Sequence, residues 1–185
     1  MITVNLPKKL LTGIQGIDDQ HRALIHWART VNSMSTVNGN RQIVLRAAQF
    51  LIAYAKYHFD SEEYAMVASG YEGVTEHRRE HAMMRRELTE LRRSVTNKEQ
   101  SAAATVKSLQ GLIQSWIQNH ISATDFAFAR YCEQEPETRS VELPSPSELR
   151  RAGLKVSDYE QVEVVHNAGE ITPSELKARL IIRGS

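Results

Sequence analysis

Residues 43–58 of the chain read IVLRAAQFLIAYAKYH, and their apolar side chains recur at spacings of three and four. Side chains at these spacings share one face of an α-helix, because the helix completes a turn in about 3.6 residues. The surrounding chain favours the same conformation, since residues 8–135 contain no proline and are rich in Ala, Leu, Arg, Glu and Gln. The stretch therefore predicts a long amphipathic helix within a largely helical region.

Four long helices are predicted in this region. Turn-type residues at 36–40, 70–73 and 96–100 separate them. The predicted helices cover about residues 18–35, 41–69, 75–95 and 101–133. Long helices joined by short loops pack as antiparallel neighbours. We therefore expect an all-α fold, an up-down-up-down four-helix bundle formed by residues 1–135.

Residues 136–185 are predicted to form a short C-terminal extension. Ser145 and Thr172 each precede a Pro, a Ser and a Glu, which is the capping-box arrangement, so two short helices are expected near 146 and 173. Residues 161–166 largely alternate between polar and apolar side chains, as in a strand, and precede a turn-type Asn-Ala-Gly. A β-hairpin between the two helices is therefore an alternative prediction. The extension could dock a protein partner, support self-association, or cover one end of the bundle.

Composition excludes several classes of protein. The 23 Lys+Arg and 22 Asp+Glu give a net charge of +1, so no broad basic field exists to hold nucleic acid. No apolar run approaches the roughly 18 residues that span a bilayer, and the N-terminus lacks the pattern of a signal peptide. The single cysteine, Cys132, excludes a disulfide framework and a cysteine-based zinc site. A soluble cytoplasmic protein that binds neither membrane nor nucleic acid is expected.

The histidines are the chemically informative residues. His58 and Glu62 are four positions apart, as are His77 and His81, so each pair lies on one face of its helix. One such pair usually has no metal role, but here all four predicted helices carry a candidate. The candidate ligands are His21, His58, Glu62, His77, His81, His120 and Asp125. Imidazoles and carboxylates without thiolate suit iron, manganese or zinc, and seven donors exceed one tetrahedral zinc. The set therefore predicts two metal ions bridged by carboxylates.

Asp125 fits this set less easily than the other candidates. It follows His120 by five residues, which on a regular α-helix places it about 140° away from the histidine. Either a local π-type widening of the helix or a long reach around its axis would bring the two together. The sequence leaves both alternatives open.

The candidate ligands resemble the pattern of the hemerythrin family. Residues 12–21 read TGIQGIDDQH, which resembles the N-terminal signature of that family. The motifs His58-Phe59 with Glu62, His77 with His81, and His120-Ile121 with Asp125 resemble the signatures of the second, third and fourth helices. The resemblance is to bacterial hemerythrins, and it extends from residue 12 to about residue 132.

This resemblance implies a non-haem di-iron centre inside the bundle. Glu62 and Asp125 would bridge two iron ions together with an oxo or hydroxo group. The three histidines of the third and fourth helices would complete one iron. The two histidines of the first and second helices would hold the other and leave one position open. Dioxygen would bind there and take two electrons from the iron pair.

The resemblance also implies a dry pocket for dioxygen. Its expected walls are Leu24, Phe59, Trp116, Ile117 and Ile121, for which plain core packing is an equal alternative. Reversible dioxygen binding for storage, delivery or sensing is the leading function. The alternatives are a di-iron enzyme acting on peroxide or nitric oxide, and a soluble O2, NO or redox sensor that signals through the extension. His26 and His166 lack ligand spacing, so no metal role is expected for them.

Overall fold

The computed structural model describes residues 8–34, 41–97, 99–135 and 143. A 3-10 turn, Lys8–Leu10, precedes the bundle. The helices are α1 Gln15–Met34, α2 Arg41–Ala68, α3 Val74–Thr96, α4 Ala102–Trp116, a π-helical segment Ile117–Asp125, called π1 below, and α5 Phe126–Gln134. The last three are continuous and form the fourth long helix. α1 and α3 each pack against α2 and α4, so the predicted all-α four-helix bundle is confirmed.

The helix ends follow the turn residues of the sequence. Gly70 ends α2 in the left-handed conformation, with φ of 72°, and the next N–H, of Tyr71, donates to the carbonyl of Met66 at 2.9 Å. Ser101 begins α4, because its hydroxyl accepts from the N–H of Ala104 at 3.1 Å. The predicted turn at 70–73 is confirmed, whereas the predicted turn at 36–40 lies outside the described residues. Each described helix boundary falls within three residues of its prediction.

A buried carboxylate fixes the beginning of α1. Asp18 is 6% exposed. Its Oδ1 accepts from the backbone N–H of Thr12 at 2.7 Å and from the Thr12 hydroxyl at 2.8 Å, while its Oδ2 accepts from the N–H of Gly13 at 3.3 Å. Gly13 has φ of 79°, which favours glycine at the bend into the helix. Since His21 follows one turn later, this cap sets where His21 enters the bundle.

Replacing Asp18 with asparagine is expected to lower the free energy of unfolding by about 1–3 kcal/mol, because one carboxylate oxygen becomes an NH2 group facing buried donors. The matched control is Asp19→Asn. The Asp19 side chain is 56% exposed and pairs with Arg22, so a change within about 0.5 kcal/mol is expected. Urea denaturation of both variants measures the difference. Equal losses in the two variants would contradict the capping role of Asp18.

Two apolar clusters fill the bundle, and a polar layer lies between them. The larger cluster includes Leu24, Phe59, Trp116 and Ile121, and the smaller includes Ile17, Met66 and Phe128. Along α1, His21 falls between Ile17 and Leu24, and along the fourth helix Asp125 falls between Ile121 and Phe128. The predicted ligands therefore occupy a layer of the core that is closed by apolar side chains on both sides.

Leu143, the described residue of the C-terminal extension, packs on the beginning of α1. A Cβ atom on Gly16 would lie 2.6 Å from Leu143 Cδ1, so glycine permits this close approach. Leu143 packs against the smaller apolar cluster. The helices predicted near 146 and 173 and the alternating stretch at 161–166 lie outside the described residues, and the division of the chain at residue 135 stays a prediction.

None of the described helices is both long and apolar enough to cross a lipid bilayer.

Candidate metal centre

All seven predicted ligands converge in the polar layer, and each is at most 3% exposed. The Nε2 atoms of the five histidines point inward toward the two carboxylates. His120 Nε2 lies 2.9 Å from Asp125 Oδ1, and His21 Nε2 lies 3.1 Å from Asp125 Oδ2. His58 Nε2 and His81 Nε2 lie 3.6 Å and 3.3 Å from Glu62 Oε2. The bundle thus brings donors from four helices to one buried point.

The donors divide into two groups that share both carboxylates. One group contains Glu62, His77, His81, His120 and Asp125, and the other contains His21, His58, Glu62 and Asp125. Within each group, the donor atoms lie within 4.8 Å of one another. This grouping coincides with the division that the family resemblance implies, in which one position has three histidines and the other has two.

The donor atoms fit metal cations. Both oxygens of Glu62 and of Asp125, and the inward Nε2 atoms of His21 and His58, are buried without a hydrogen-bond partner in the described part of the chain. Buried polar atoms without partners are costly, so their concentration at one point requires a group that satisfies them. A set of imidazoles and carboxylates without thiolate matches iron, manganese or zinc. The cluster is therefore able to bind metal.

The electrostatics of the layer favour positive charge. Burial raises the pKa of Glu62 and of Asp125, yet the surrounding histidines hold both values below the usual range. Burial lowers the pKa of His77, but contacts with Asp125 and Glu62 raise it to about 10. Both carboxylates are thus ionised and attract protons or metal ions. Burial lowers the pKa of His58 to about 3, so its ring stays neutral, as metal binding requires.

The π-helical segment places Asp125. The backbone of π1 has the wider turn of a π-helix, in which residues five apart approach one face. Asp125 consequently reaches His120 at 2.9 Å, although an α-helix would separate them. Of the two alternatives left open by the sequence, local π-type widening is confirmed.

Three residues that the sequence analysis missed support the histidines from outside. In each case a side-chain oxygen lies close to the outer Nδ1 atom of a histidine. The distances are 2.9 Å from Gln20 to His58, 3.0 Å from Glu63 to His81, and 2.8 Å from Glu80 to His120. Each of the three adjoins a predicted ligand of its own helix and supports a histidine of the next helix in the chain. Adjacent residues are rotated by about 100° on a helix, so a residue next to a ligand points toward a neighbouring helix. A polar residue directly beside a ligand was therefore the sequence signal that could have identified these three.

The expected pocket walls belong to the larger apolar cluster. Leu24, Phe59, Trp116 and Ile121 are buried, and Ile117 is partly buried against them. The Trp116 ring lies edge-on to His58, with ring centroids 5.4 Å apart, and edge-on to His21 at 6.5 Å. Leu24 and Trp116 also line a small apolar cavity of about 20 Å³, whose lining does not include the other three residues.

The remaining candidates lie apart from the centre. His26 is partly buried and belongs to neither donor group. His166 lies outside the described residues. Cys132 is a buried thiol outside any disulfide, and it packs in the smaller cluster.

Comparison with known proteins agrees with this geometry. Residues 12–132 match the family described as the hemerythrin HHE cation binding domain. The chain is 28% identical to a bacteriohemerythrin of Pseudomonas paraeruginosa over 119 residues, which cover 64% of this chain and 74% of the relative. It is 26% identical to a bacteriohemerythrin of Methylococcus capsulatus over 114 residues, covering 62% and 84%. No solved structure matches the chain significantly.

Proposed function

We propose that this chain, which belongs to the hemerythrin family, binds dioxygen reversibly at a pair of iron ions. The unequal number of donors at the two positions is the observation that carries the proposal. One position has three histidines, whereas the position of His21 and His58 has two, and both share the same carboxylates. The position with fewer protein donors is the one at which a small molecule can bind.

The residues of the centre have separate tasks in this proposal. Glu62 and Asp125 hold the two positions close together, and the histidines orient each position from its own side. Two iron ions bound here would supply the two electrons that dioxygen binding consumes. The donors carry less negative charge than the paired Glu-x-x-His motifs of carboxylate-rich di-iron proteins. We expect this lower charge to favour reversible binding over cleavage of the O–O bond.

The apolar surroundings support a small, uncharged ligand. Leu24 lies one turn from His21, and Ala55 lies one turn from His58, so both flank the two-histidine position. With Trp116 they line the cavity of about 20 Å³, which exceeds the roughly 10–15 Å³ that one water-sized molecule needs. Apolar walls also limit the access of water to the centre. This arrangement suits dioxygen better than a polar substrate.

The proposed role is storage, delivery or sensing of dioxygen in the cytoplasm. The single cysteine, Cys132, is buried as a thiol, which is compatible with a reducing compartment. The finding that no described helix could cross a membrane is compatible with the same location.

Repeated oxygenation of the reduced protein tests the proposal. The full chain, loaded with iron and reduced under argon, is expected to hold two irons and to gain an absorption spectrum in air that disappears under vacuum and returns over several cycles. The control is the zinc-loaded chain, which has no redox chemistry and should show no change. Irreversible oxidation on the first exposure, with turnover of peroxide or nitric oxide, would instead support an enzyme.

A further inference from the structure

We propose that Glu80 and Glu63 are positioning residues for the metal position of His77, His81 and His120. Through His120 and His81 they make the ligands of this position stronger electron donors to the metal than the ligands of the other position. The proposal rests on the proposed function in its choice of iron as the metal. Its physical basis is the difference in charge between the groups that support the histidines from outside.

Glu80 is fixed on His120 by two contacts. Its Oε2 lies 2.8 Å from His120 Nδ1 and accepts from the Thr124 hydroxyl at 2.8 Å. A carboxylate that accepts the outer N–H of an imidazole increases the basicity of the inner nitrogen and holds the ring in orientation. Among the described residues, the ion pair of Glu80 is with His120, and the Glu80 side chain is 41% exposed. Its charge is therefore screened in part by solvent but is not shared with a guanidinium group.

Glu63 supports His81 with a compensated charge. Its Oε1 lies 3.0 Å from His81 Nδ1 and accepts from Arg85 at 2.9 Å, while its Oε2 accepts from Arg78 at 3.2 Å. Arg85 also donates to Asp60 at 2.7 Å, so this network ties α2 to α3. Because two guanidinium groups share the charge of Glu63, we expect it to contribute more to stability and less to donor strength than Glu80.

Among the described residues, no carboxylate pairs with the outer nitrogen of a histidine at the two-histidine position. His58 Nδ1 pairs with the neutral amide oxygen of Gln20 at 2.9 Å. His21 Nδ1 has no hydrogen-bond partner among the described residues. At the three-histidine position His77 Nδ1 also has no partner among the described residues, but His81 and His120 each have a carboxylate. Taken together, the imidazoles of the two-histidine position therefore donate less strongly to a metal. We infer that the three-histidine position binds its metal more tightly and that an iron ion bound there has the lower reduction potential.

The test uses Glu80→Gln and Glu63→Gln in the full chain. Glutamine keeps an acceptor oxygen for the imidazole N–H, so the variants remove mainly the charge. The matched control is Glu87→Gln, which removes a charge from an exposed residue of α3 that lines the same surface groove as Glu80 and His120. Iron titration against a competing chelator gives the affinity of each position. Mössbauer spectra of the iron-57 protein separate the two iron environments, and spectroelectrochemistry gives the reduction potential.

Glu80→Gln is expected to weaken one of the two positions by about 10–100-fold, to change one of the two iron environments, and to move the reduction potential to more positive values. Glu63→Gln is expected to move the potential less but to lower the melting temperature more, since Arg78 and Arg85 lose their partner. Glu87→Gln should match the wild type. Glu80→Gln should thus change the reduction potential more, and Glu63→Gln should change the melting temperature more. A merely structural role of both residues would not produce these opposite rankings.

Three results would overturn the inference. The first is that Glu80→Gln has the affinities and reduction potential of the wild type. The second is that Glu87→Gln shifts the reduction potential as much as Glu80→Gln does. The third is that Glu80→Gln weakens or abolishes both metal positions equally. Failure of the proposed function is distinguishable, because a chain that holds two irons without binding dioxygen still reports affinities, iron environments and potential. Zinc titration repeats the affinity comparison where iron is not retained.

Discussion

His120→Ala is expected to reduce the metal content of the purified chain from two ions to one or none. His120 Nε2 lies 2.9 Å from Asp125 Oδ1 and 3.0 Å from His81 Nε2, so its donor atom belongs to the three-histidine group. Removal of residues that merely support a ligand costs about 10–100-fold in metal affinity, and removal of the ligand itself should cost more. His77→Ala should behave in the same way, because its Nε2 lies 3.2 Å from the same carboxylate oxygen.

Metal analysis after dialysis against a weak chelator measures this effect. His26→Ala is the matched control, since His26 lies on α1 beyond His21 and belongs to neither donor group. It should retain two ions per chain. Retention of two ions by either His77→Ala or His120→Ala would refute the assignment of that histidine as a ligand.

Metal removal is expected to produce the second large effect, a loss of thermal stability. Without metal, all four carboxylate oxygens of Glu62 and Asp125 are buried with no hydrogen-bond partner in the part of the chain that the structure describes. Metal at about 1,000 times its dissociation constant stabilises the folded state by about 4 kcal/mol. For a domain of this size each kcal/mol shifts the melting temperature by about 2–4 °C, so a difference of about 8–16 °C is expected.

Calorimetry of the chelator-treated chain, before and after reloading with zinc, measures this difference. Zinc avoids any contribution from oxidation. The His120→Ala variant serves as the control, and its melting temperature should respond much less to added zinc. Equal melting temperatures for the metal-free and reloaded wild-type chain would show that the cluster does not bind metal tightly.

The helices could be predicted from the sequence because their causes are local. The apolar period of residues 43–58, the absence of proline between 8 and 135, and the glycine at position 70 act over a few residues. The same local period revealed the candidate ligand pairs, because side chains four apart share a helical face whatever the helix packs against. Their convergence at one buried layer then required only that the four helices pack as a bundle.

Other features depend on how the helices are rotated and packed against one another. Gln20, Glu63 and Glu80 each support a histidine of a neighbouring helix, and a period along one helix carries no information about that neighbour. The local period also does not place Asp125, since its position beside His120 requires the π-helical widening of π1. Residue types and their spacing thus specify the donors. The packing of the helices specifies which donors share a position and how each is supported, because both depend on distances between residues far apart in the chain.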